Sequence, residues 1–244
     1  MESSTPTLVH YIPIATTVLS AIFAPIIFRR WLGRRPAPHL WWWAFGVAMY
    51  GVGTFTEGFT TLFGWHEIIF RSWYVSGALL GGAPLALGTV YLMLSRRTAN
   101  AMALVVGSVI LAGATVVALS PIDMTLVESH RLTGAVLEWR RARLFSPFVN
   151  LWAATFLIGG AALSAWRYHG EPQLHHRFVG NCLIAVGALL PGIGGTATRM
   201  GYTEVLYVTE LLGIVLIWMG YSWNVRSVPS SGSTASDSSP SPAT

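Results

Sequence analysis

Seven stretches of mostly apolar residues follow one another along the chain, separated by short segments where arginine, histidine, proline and glycine collect. A helix needs about 20 such residues to cross the hydrocarbon core of a bilayer. The pattern therefore predicts an all-α polytopic membrane bundle of seven transmembrane helices. The expected spans are 8–28, 40–63, 73 to just before Arg96, 101–119, 148–166, 178–198 and 202–223. Between the fourth and fifth, residues 121–147 place Leu132, Val136 and Trp139 at helical spacing opposite Arg131, Arg140 and Arg143. That predicts an amphipathic helix lying on the outer membrane surface, with an irregular polar loop as the alternative. One transmembrane domain covers 1–227, and 228–244 reads as a disordered cytoplasmic tail of serine, proline and threonine, too polar to bury a core.

Composition supports the membrane reading: 53% of residues are hydrophobic and only 10% charged, with a mean hydropathy of +0.55. Soluble domains carry roughly 25% charged residues. All fifteen basic residues are arginine. A retinal Schiff base needs a lysine amine, so retinal is excluded as a cofactor. The net charge of +5 does not point to nucleic acid, because the arginines are scattered through short connections rather than gathered on one face.

They read instead as orientation signals. Residues 1–28 contain no lysine or arginine, and Arg29, Arg30, Arg34 and Arg35 follow, which is the reverse of a cleaved signal peptide. With the N-terminus outside and the C-terminus cytoplasmic, nine arginines fall inside and six outside. The expected location is the plasma (inner) membrane, multi-pass. The single cysteine, Cys182, can form no internal disulfide and no thiolate metal site.

Ionisable side chains within spans are costly unless paired or wet, and mark functional sites. Glu57 lies late in the second span and Glu210 within the seventh, both toward the outer side. Arg71, Arg199 and Glu204 fall at the same level, with Tyr74, Tyr207 and several threonines close by. Glu57, Arg71, Tyr74, Arg199, Glu204 and Glu210 are therefore the candidate ligand-binding residues. Glu57–Arg71 and Glu210–Arg199 ion pairs that merely lock the bundle explain the same pattern. His10, His66 and His130 also lie on the outer side and are weak metal or haem candidates, at span ends and without helical ligand spacing.

Pro191-Gly-Ile-Gly-Gly195 in the sixth span removes a backbone donor and places three glycines together, which predicts a kink or unwound segment; close helix packing is the commoner use of such glycines. Gly77 and Gly81 in the third span suit packing as well. Trp31, Trp41, Trp42, Trp43, Trp65, Trp73 and Trp139 form two aromatic belts. No serine-hydrolase, zinc-protease or intramembrane aspartate-pair motif is present, so the reading leans away from an enzyme.

Trp43, Gly46 and Tyr50, the late Glu57, the aromatic opening at Trp73 and Tyr74, and Leu190-Pro191 resemble the seven-helix sensor regions of bacterial membrane histidine kinases. The chain is also similar to bacterial seven-span membrane proteins of unassigned function. The first resemblance implies a ligand-binding bundle; since no kinase domain follows the seventh span, it implies signalling through a membrane or cytoplasmic protein partner. The expected function is a non-enzymatic, sensor-like bundle binding a small molecule or lipid in a polar cavity toward the outer side. Two other readings stand beside it: a redox protein holding haem b or a quinone, and a proton-coupled carrier with Glu210 as its proton site.

Overall fold

The computed structural model describes residues 7–225, so the tail expected at 228–244 lies outside the described residues. A short 3-10 turn, Leu8–Tyr11, leads into α1, Ile12–Leu32. There follow α2, Pro38–Phe63; α3, Glu67–Trp73; α4, Ala83–Met93; and α5, Arg96–Leu119. The last three are α6, Phe145–Tyr168; α7, His175–Arg199; and α8, Thr203–Val225. Among the described residues the only β pairing is two isolated bridges, Ile122 with Leu137 and Glu128 with Arg131.

Six helical stretches are long and apolar enough to cross a membrane, among them Glu67–Met93, which joins α3 to α4. The remaining long helix, α2, has 26 residues, but glycines, threonines, tryptophans and Glu57 replace aliphatic residues along it. The low hydropathy reflects its position. It packs on α1, α3 and α4, and buries Gly46, Gly51, Gly53, Thr54, Thr56 and Glu57. Lipid does not have to solvate these groups.

Neighbouring helices run α1, α2, α4, α6, α7, α8 and back to α1, a closed ring with α5 laid against α4 and α6. Leu104, Val105 and Leu111 of α5 are exposed accordingly. One apolar core, around Phe23, Val47, Leu85 and Ile214, fills the ring at one end. A second, around Phe70, Tyr74, Leu79, Val117 and Val149, fills the other.

The third span is interrupted. After α3 the chain continues as a π-helix, Tyr74–Leu79, in which Leu80 N–H donates to Val75 O at 2.9 Å. A turn precedes α4, whose first turn carries Pro84 and so lacks one amide donor. Asn150 of α6 supplies a donor to Ala78 O at 3.2 Å, satisfying a carbonyl left by the irregular turn.

The unwound segment offered as one outcome for the sixth span is absent: α7 runs as continuous helix through Pro191. Packing is the reason. Gly180, Gly187 and Gly194 recur every seven residues and face α8, where a Cβ on Gly187 would stand 2.8 Å from Gly213 O and one on Gly213 2.8 Å from Gly187 O. The carbonyl that Pro191 leaves free is thus pressed against the backbone of α8, and small-residue packing holds the two helices together.

The amphipathic helix expected in residues 121–147 is also corrected. That segment forms three short 3-10 turns, Met124–Leu126, Gly134–Val136 and Arg140–Leu144, and α6 begins at Phe145. Leu132, Val136 and Leu137 are at most 3% exposed because they plug the second core. Trp139 is exposed instead. The apolar spacing marks residues that close the bundle, which is a better hydrophobic sink than a bilayer surface.

Candidate functional site

At the capped end of the ring, α2 and α8 bring Glu57 and Glu210 together. Glu57 is 4% exposed, and its carboxyl lies beside that of Glu210, near enough for the two to share a hydrogen. Each keeps a buried Oε2 with no other donor in reach. Trp73 Nε1 donates to Glu57 Oε1 at 2.9 Å, and Tyr50 O–H donates to the Glu210 carbonyl at 2.9 Å. The Tyr207 ring is buried beside both carboxyls.

Two glycines explain how an indole from α3 reaches an acid on α2. A Cβ on Gly53 would lie 3.1 Å from Gly77 Cα, so the two backbones touch there. Trp73 lies one turn before Gly77 and Glu57 one turn after Gly53. In antiparallel neighbours those turns face each other, and the donor meets the acid. The π-helix that contains Gly77 sets this face of the third span.

The arginines go elsewhere. Arg71 binds Glu67 Oε1 through Nη2 at 2.6 Å, and donates to Ser120 O at 3.0 Å and to Val117 O. Those carbonyls belong to the last turn of α5 and its C-cap, which lack amide partners and attract a cation. The Glu57–Arg71 pair is therefore replaced by a clamp that holds the end of α5. Arg199 ends α7 exposed to solvent, and no Glu210–Arg199 pair forms among the described residues.

Tyr74 is buried under Gly134, where a Cβ would stand 2.9 Å from its ring, and its hydroxyl bonds Ser146. Glu204 is half-exposed, 4.0 Å from His10 Nε2. Of the six expected ligand residues, only Glu57 and Glu210 meet. Trp73, read from sequence as part of an aromatic belt, and Tyr50 were not among the six. The glycine pair at Gly53 and Gly77 was the available signal, since it marks where α2 and the third span approach.

The histidines do not converge. His10 Nδ1 bonds Thr7 Oγ1 at 2.8 Å and its ring lies 5.9 Å from that of Tyr207. His66 Nδ1 lies 3.2 Å from Gly64 O, and His130 buries an unpartnered Nδ1 in the capping segment. No group of three or more His, Cys, Asp or Glu side chains that could hold a metal ion occurs among the described residues.

Residues 120–144 close the second core as a cap, with Leu132, Val136 and Leu137 buried in it and Gly134 against the Tyr74 ring. Ser120 Oγ accepts from Trp139 N–H at 3.2 Å, and Asp123 N–H donates to Val136 O at 2.8 Å, so the segment is tied to itself. The hydroxyl and amide of Thr125 hold the exposed Asp123 carboxyl below its ordinary range. Two grooves open elsewhere. One of about 580 Å³ is lined by Trp139, Arg140, Arg141 and Phe145, and one of about 370 Å³ lies between α1 and α2.

Comparison with protein-family models, with curated proteins and with solved structures finds no match to this chain, and the reading of its site rests on the geometry itself.

Proposed function

We propose that the chain is a seven-helix plasma-membrane protein, N-terminus outside and C-terminus cytoplasmic, that works as a non-enzymatic, sensor-like binding bundle. Its site is the carboxyl pair, on the outer side. The carrying observation is the meeting of Glu57 and Glu210 inside the ring with unpartnered oxygens and no arginine beside them. Buried acids that only lock a bundle are expected to meet a cation, and these do not.

Counting α2 as a span supports seven crossings, and the arginine distribution supports the orientation. The resemblance to kinase sensor regions adds a protein partner as the outlet of the signal. Haem or quinone binding has less support, because His10, His66 and His130 are held apart.

The test is a thermal-shift screen of the detergent-purified protein against amines, carboxylates and lipids. A compound that stabilises the wild type and loses its effect in folded Glu57→Gln and Glu210→Gln variants supports the reading. Equal stabilisation of all three proteins sinks it.

The proton-coupled carrier gains one observation, since its proton site becomes a pair rather than Glu210 alone. Uptake into vesicles whose pH dependence survives Glu210→Gln would exclude that role.

A further inference from the structure

A carboxylate only accepts hydrogen bonds, so two carboxyls that bond each other need a hydrogen between them. Glu57 and Glu210 are close enough to be such a pair, and each also presents a buried Oε2 without a donor. The groups facing them are few. Tyr50 comes from α2, Trp73 from α3, and Tyr207 and Glu204 from α8. His10 stands beside Tyr207, and Arg131 of the cap acts on Tyr207 from a distance but is bonded to Glu128 at 3.1 Å. Among the described residues no cationic side chain forms an ion pair with either carboxyl.

The charge balance of this site is consequently open by one. With one hydrogen the pair carries a single negative charge softened by the Trp73 N–H. Removing that hydrogen leaves two negative charges within hydrogen-bonding distance, away from water, a state that needs an incoming positive charge. Both free Oε2 atoms are available to receive it, and the neighbouring indole and phenol rings are favourable company for a cation. Neither of the two grooves described above is lined by Glu57 or Glu210, and the gap between two carboxyls that share a hydrogen suits a small ion.

Building on the binding role proposed above, we propose that Glu57 and Glu210 form an exchange site for one positive charge. It holds either a shared proton or a small monovalent cation, ammonium-type or alkali. In the exchange the hydrogen between the carboxyls leaves to solvent as a proton, and the cation takes its place between two carboxylates. The net charge of the site is unchanged. Binding of the cation strengthens as pH rises because the proton competes with it.

The full-length protein in detergent, weakly buffered with a pH-sensitive dye, is titrated with methylammonium chloride and with sodium chloride. Tetrabutylammonium chloride, too bulky to reach the pair, sets the ionic-strength baseline. The expected result is saturable release approaching about one proton per chain with one of the two small cations, absent in the Glu57→Gln/Glu210→Gln double variant. Which cation works separates an organic ammonium from an alkali ion.

Infrared spectra of the wild type alone guard against a misfolded variant. A protonated-carboxyl C=O band, shifted in D2O, should be present at neutral pH and fall as the cation binds. Absence of that band, its indifference to both cations, or equal proton release from the folded double variant overturns the proposal. Compounds that still stabilise the wild type through Glu57 and Glu210 without proton release sink the exchange alone. A screen in which Glu57→Gln and Glu210→Gln change nothing sinks the binding reading with it.

Discussion

Trp73 and Arg71 sit two residues apart on α3 and do opposite work. Two positions in a helix differ by about 200° around its axis, so one side chain turns to α2 and the other to the end of α5. Which of them meets Glu57 depends on that facing and is invisible in a list of polar residues at one depth. The indole now matters to stability. Trp73→Phe leaves Glu57 Oε1 buried without its donor and should lower stability by about 1–3 kcal/mol. The same change in a Glu57→Gln background should cost less, because the orphaned charge is gone. Thermal unfolding of the four proteins measures this, and additive losses would show that the bond contributes little.

Glycine position, rather than glycine number, organises α7 and α8. Gly187→Ala places a Cβ 2.8 Å from Gly213 O, and separating the helices should cost about 1–3 kcal/mol. Gly192, on the same helix, has nothing within 4 Å of an added Cβ. Gly192→Ala should therefore be neutral or stabilise by up to about 1 kcal/mol through helix propensity. Equal destabilisation by both would reject the glycine seam. The cap is an element with its own pH response. Asp123 is depressed by Thr125, so its bonds contribute above the ordinary aspartate value of 3.8 and are lost as pH falls through the lower folded value. The protection of the Thr125 amide, its exchange rate compared with the intrinsic rate at the same pH, should fall as Asp123 is protonated, and Asp123→Asn should remove most of that dependence.

At the scale of the molecule, the proposed orientation puts the carboxyl pair toward the outside and the arginine-rich connection at 33–37 toward the cytoplasm. In a Cys182→Ser background, Ser129→Cys on the cap should react with a membrane-impermeant maleimide in intact cells. Arg97→Cys should react only after permeabilisation. The opposite pattern would invert the topology and move the proposed binding site to the cytoplasmic side.

Hydrophobic run lengths alone determined the helical class and the course of most spans, because burying twenty residues in hydrocarbon is a local property of each run. The observed helices keep the expected spans at 101–119, 148–166 and 178–198 and extend them by at most five residues at an end. The depth of Glu57 and Glu210 was legible for the same reason. The tertiary structure decided what depends on which faces meet: the π-helix in the third span, the unbroken passage of α7 through Pro191, and the folding of 120–144 onto the core. It also decided that Glu57 meets an acid and an indole rather than Arg71. Residue depth is set by the sequence along one helix, whereas side-chain partners are set by the rotation and crossing of two, and only packing supplies those.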